Sequence, residues 1–86
     1  MTRQELVDYL RQHGVNPQYF HVEGVYDGWG TDTWYLRRSG NRWEVGYSER
    51  NKEYPDSYYD DEGAACAALL RLLRSSGLQQ VPQEGE

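Results

Sequence analysis

A lone cysteine, Cys66, and two histidines, His13 and His21, are the residues that could support nucleophilic catalysis, with the thiol as nucleophile and an imidazole as its base. Cys66 lies in the apolar run AACAALL, where a buried, inert packing role is the simpler reading. His13 falls where the first helix should end, and a cation there suits the helix dipole. His21 falls on the polar side of a strand. Asp56, Asp60, Asp61 and Glu62 would suit a hard cation. The last three are better explained as the capped, acidic start of a helix, and the calcium-loop pattern of alternating Asp/Asn, central Gly and distal Glu is absent. GWG and RSGNR do not match a phosphate-cradling loop, and neither leads into a helix N-terminus. The expectation is therefore a non-enzyme with no catalytic residues, no cofactor and no metal.

Charge and aromatic placement remain. Tyr54, Asp56, Tyr58, Tyr59 and Asp60 form one acidic, tyrosine-rich stretch; Trp29 and Asp32 belong to a second. Tyr and Trp favour interface cores, and acidic neighbours speed the capture of a basic partner. These seven residues are the expected partner-binding set. A competing set is Arg37, Arg38 and Arg42 beside Trp34, since basic side chains among aromatics can make a platform for single-stranded nucleic acid.

The elements that must position these residues follow from periodicity. Residues 33–50 read as a hairpin. Trp34, Leu36, Trp43, Val45 and Tyr47 recur at every second position, and Ser39, Gly40 and Asn41 supply the turn. A first helix is predicted over residues 2–13, with Thr2 and Glu5 as a capping box and Gly14 as its stop. A first strand is predicted over 19–26 and a loop over 27–32. Residues 49–59 look irregular, with a short fourth strand at 57–59 confined to an edge by Pro55. A second helix runs from an Asp60 cap to about Ser75, with Ala65, Cys66, Leu69, Leu72 and Leu73 inward, and Gly77 ends it. The expected fold is α+β in the order α-β-β-β-α: a three-stranded antiparallel meander with both helices on one face. The other face, carrying Tyr35, Arg37, Arg42, Glu44 and Ser48, is expected to be wet.

The chain has 86 residues, 37% of them hydrophobic and 14% aromatic, and a net charge of −5. Such a length implies one globular domain, here residues 1–77 followed by a polar tail over 78–86, and aromatic burial compensates for the low hydrophobic content. The acidic balance argues against generic binding to nucleic acid or anionic membranes. One cysteine permits no internal disulfide, no apolar run is long enough for a membrane helix, and no signal-peptide pattern opens the sequence; a cytoplasmic location is expected. The oligomeric state, monomer or weak dimer, is left open.

The segment RWEVGYSERN beginning at Arg42, followed by YYDDEGAACAALLRLL, resembles small bacterial immunity-type proteins of polymorphic toxin systems. Its sharpest parts are Trp43-Glu44-Val45, Tyr47-Ser48-Glu49-Arg50 and Ala65-Cys66. The chain departs from that pattern at Asn51, where glycine is common, at Tyr59, where phenylalanine is, and at Gly63. The resemblance implies a protein that binds and blocks a cognate toxin domain, expected from the acidic surface to be basic, and it carries over no catalytic residues.

Overall fold

A computed structural model describes residues 1–28, 32–50 and 52–76. Two helices, α1 (Arg3–Gln12) and α2 (Glu62–Ser75), flank a sheet of four strands, β1 (Phe20–Val22), β2 (Asp32–Ser39), β3 (Arg42–Glu49) and β4 (Lys52–Tyr59), ordered β1-β2-β3-β4. The fold is α+β, and β2, β3 and β4 form the antiparallel meander.

Local signals set the helices. Thr2 Oγ1 accepts from the Glu5 N–H at 3.1 Å, and Glu5 Oε1 accepts from the Thr2 N–H at 2.7 Å, closing the capping box. At the other end Gly14 adopts φ +70°. The Val15 N–H bonds the Leu10 carbonyl and the Gly14 N–H bonds the Arg11 carbonyl, the paired bonds of a Schellman stop. The cap of α2 is Asp61, one residue after the expected Asp60; its side chain accepts from the Ala64 N–H at 2.8 Å. The hairpin turns through Gly40, at φ +61°, and Asn41, between the paired Ser39 and Arg42.

The helices lie on the sheet face that carries Phe20, Val22, Leu36, Trp43 and Val45. Leu6, Val7 and Leu10 of α1 and Ala65, Cys66, Leu69 and Leu73 of α2 join these in one buried cluster. Arg3 ties the layers together. Its Nε sits 3.0 Å from Glu62 Oε2, its Nη1 donates to the Glu23 carbonyl at 2.7 Å, and its guanidinium lies 4.8 Å from the Trp43 ring centre.

Three expectations are corrected. The first strand does not extend the meander, because β1 pairs parallel to β2, with Phe20 opposite Trp34 and Val22 opposite Leu36. Gly24, at φ +81°, lies in a turn that folds Tyr26 back onto Val22, so the chain returns to the starting end of β1 before β2 begins. Gly28 permits that return: a Cβ there would sit 2.1 Å from the Phe20 carbonyl oxygen and 2.5 Å from that of Pro17. Next, β4 is a full eight-residue edge strand rather than a three-residue one. Pro55 stays at the edge as expected, and a register shift opposite Val45 and Gly46 leaves Asp56 outside the pairing. Finally, the face away from the helices is wet only in part: Tyr35, Glu44, Ser48 and Thr33 are buried on it, with His21, while Arg37 is half-buried and Arg42 exposed as expected. The expected stop at Gly77 and the tail over 78–86 lie outside the described residues.

Candidate functional sites: a polar network and an aromatic groove

Alternation along the strands sorts the functional side chains onto two surfaces. On the helix-free face Tyr35, Arg37 and Glu44 meet across β2 and β3, joined by Glu53 of β4. Gly46 makes the arrangement possible. Tyr35 lies flat across it, and a Cβ at position 46 would stand 2.6 Å from the Tyr35 hydroxyl and 2.8 Å from its Cζ. The Tyr35 hydroxyl donates to Glu44 Oε2. Arg37 holds the same carboxylate oxygen at 2.9 Å and Glu53 Oε2 at 2.6 Å, and its guanidinium covers the Tyr35 ring at 4.9 Å. Burial, then the hydrogen bond and charge of Glu44, hold the Tyr35 phenol well above its ordinary pKa. The bond to Glu53 raises the Arg37 pKa further. On β1 of this face, His21 Nδ1 lies 3.2 Å from Asp27 Oδ1; burial lowers the imidazole pKa, opposed by the Asp27 and Glu23 charges. The network is closed on itself: a fixed cation between two carboxylates and a phenol that keeps its proton. That chemistry suits locking a sheet rather than transferring protons.

The second surface is on the helix side of the sheet, at the end where β2 begins. There a groove of about 240 Å³ is lined by Tyr19, Asp32, Trp34, Tyr47 and Ser76. Trp34 and Tyr47 are direct cross-strand partners, with ring centres 4.6 Å apart and planes tilted by 50°. Tyr54 continues the row as the partner of Tyr47 on β4, and is 50% exposed. Asp32 pairs with Glu49 at the adjoining position. Burial and the Asp32 and Glu49 carboxylates push the Tyr47 phenol pKa up, so it too stays a hydrogen-bond donor. Ser76 caps the C-terminal end of α2.

The expected partner-binding set is only partly brought together. Asp32 and Tyr54 belong to this aromatic end. Tyr58 points to the opposite face, opposite Glu44, because neighbouring residues of a strand face opposite ways. Tyr59, opposite Trp43, packs against the core at the far end of the sheet. Asp60 lies beyond it, 3.3 Å from Arg42 Nε. Asp56 is the unpaired residue at the register shift, and Trp29 lies outside the described residues. The competing arginine set is also dispersed. Arg37 is bound to Glu44 and Glu53, and Arg42 to Asp60. Arg38 covers Trp43 at 4.8 Å and donates to the Gly40 carbonyl, while Trp34 sits at the other end of β2.

Cys66 is fully buried, and burial pushes its thiol up to about 11, far from the thiolate a nucleophile needs. His13 is the C-cap of α1, its ring centre 4.5 Å from that of Tyr9 with the planes tilted by 54°. On sequence alone Trp34 and Tyr47 fall in the alternating hairpin set, with Trp34 also beside the arginines, and Tyr47, Tyr19 and Ser76 take no functional part. Counting pairs outward from the turn would have placed Trp34 opposite Tyr47. Nothing local could have brought Tyr19 or Ser76 beside them, since they are held by the turn before β1 and by the end of α2. No protein-family model, curated protein or solved structure matches this chain.

Proposed function

We propose that this protein is a non-enzymatic binding module of the immunity type, which occludes a basic toxin domain through the aromatic, acidic end of its sheet. The observation that carries the reading is the groove bordered by Trp34, Tyr47 and Asp32, with the exposed Tyr54 beside it. Aromatic side chains that present flat apolar area at low conformational cost, next to a carboxylate, are what a basic protein surface is recognised by. The net charge of −5 adds long-range attraction for such a partner. The buried thiol of Cys66 and the self-neutralised arginines take support away from the catalytic and nucleic-acid alternatives.

The edge strand β4 is a less suitable docking element. Pro55, the register shift at Asp56 and the charged Lys52 and Glu53 are the usual devices that discourage pairing with another chain. The reading is tested by immobilising the protein, isolating partners from lysate of its source at moderate salt, and assaying the captured protein's activity. A stoichiometric partner whose activity is abolished by the purified protein is the expected result. A captured partner that remains fully active, or recovery of nucleic acid alone, overturns it.

A further inference from the structure

We propose that the groove between β2, β3 and the end of α2 is a receptor for one guanidinium side chain, so that a single arginine of the partner anchors there. This rests on the reading of a basic partner and specifies how that partner is held. Four features of the groove converge on a cation of that shape. Three of its five described lining residues are aromatic, Tyr19, Trp34 and Tyr47, and a flat delocalised cation stacks on aromatic rings. Among the described residues its charged lining group is the carboxylate of Asp32, on an exposed strand end, with Glu49 at the paired position. Ser76, the cap of the fourteen-residue α2, brings the negative end of a helix dipole to the rim; the basic Arg74 of that last turn is not among the lining residues. Its volume, about 240 Å³, is below the range of sites that hold drug-sized ligands or cofactors and suits one side chain.

The geometry also separates this surface from the core beneath. Leu36 and Val45, the next pair along the hairpin on the same face, are fully buried under the helices, whereas Trp34 and Tyr47 keep part of their area accessible. Among the described residues, the helices cover the sheet as far as Leu36 and Val45 and leave Trp34 and Tyr47 half-buried. A guanidinium stacked on the Trp34 and Tyr47 rings would sit within reach of Asp32 and remove apolar area that the described residues leave accessible. An ammonium could take the charge but not the stacking, so arginine should be preferred to lysine.

The test is a nuclear magnetic resonance titration of the full chain with N-acetylarginine amide, with the lysine and citrulline amides as charge-matched and shape-matched controls. Saturable shifts are expected at the Trp34 indole N–H and the Asp32 and Tyr47 amides, weaker with lysine and absent with citrulline. Asp32→Asn, on an exposed position, should weaken arginine binding about twofold to fivefold, and Tyr47→Leu by a similar factor of about two to five. Equal affinity for citrulline, or no shifts at these positions with arginine, overturns the inference whatever the partner assay shows. Intact arginine binding together with failure to inhibit any captured partner would leave the groove assignment standing and remove the inhibitor reading instead.

Discussion

Replacing Tyr35 with phenylalanine removes one oxygen from the centre of the helix-free face and leaves the ring in place over Gly46. Tyr35 is fully buried, and its hydroxyl donates to a Glu44 carboxylate that is itself only 4% exposed. A hydrogen bond to a charged group contributes about 1.5–3 kcal/mol net. Arg37 remains 2.9 Å from the same oxygen, so the buried carboxylate keeps a partner and the expected loss falls in the lower half of that range, about 2 kcal/mol. For 86 residues the total stability is about 4–13 kcal/mol, and a loss of that size lowers the melting temperature by about 8–16 °C. Urea denaturation followed by tryptophan fluorescence at pH 7 measures it. The pH dependence gives a second readout. Because the folded phenol holds its proton more tightly than the unfolded one, the contribution is complete below about pH 10, where unfolded tyrosine begins to ionise, and falls as pH rises above that. The parent should therefore lose stability more steeply above pH 10 than Tyr35→Phe, with Tyr47 contributing equally to both proteins. A loss below about 0.5 kcal/mol at neutral pH, with parallel alkaline slopes, would refute the claim that this bond locks the sheet.

Gly46→Ala should be destabilising by about 1–3 kcal/mol, since the new Cβ meets the Tyr35 ring and, at 2.6 Å, the Tyr54 carbonyl oxygen, a backbone atom that cannot swing away; thermal unfolding measures it. Cys66 should react with a thiol reagent only at the rate of unfolding, seen as matched reaction and unfolding rates in urea; fast labelling of the native protein would contradict its burial. His21, with a depressed folded pKa, contributes stability that is complete above the unfolded value of about 6.5 and is lost as pH falls below it. His21→Gln should flatten the decline between neutral pH and about pH 5 in acid unfolding curves.

The two helices and the central hairpin were legible in the sequence because their signals are local. Thr2 and Glu5 need only helical geometry to cap each other, Gly14 needs only its own freedom at positive φ, and a two-residue turn at Gly40-Asn41 dictates every pair from Ser39 and Arg42 outward. Strand period then places Phe20, Val22, Leu36, Trp43 and Val45 on one face, and that face is the core. The direction of β1 was not legible. It depends on the chain doubling back through Gly24 and lying against Phe20 at Gly28, a contact between backbone segments that no hydropathy pattern encodes. Nor could period show that the centre of the polar face, at Tyr35 and Glu44, is buried. A Tyr-Arg-Glu alternation reads as solvated until Gly46 lets Tyr35 lie flat and Glu53 arrives from a third strand to share Arg37. The acidic, tyrosine-rich stretch was visible as composition, but β4 is extended and sends its neighbours to opposite faces, so composition alone could not keep Tyr54 and Tyr58 together. The groove exists only because tertiary packing brings the turn before β1 and the C-cap of α2 to the cross-strand pair Trp34 and Tyr47.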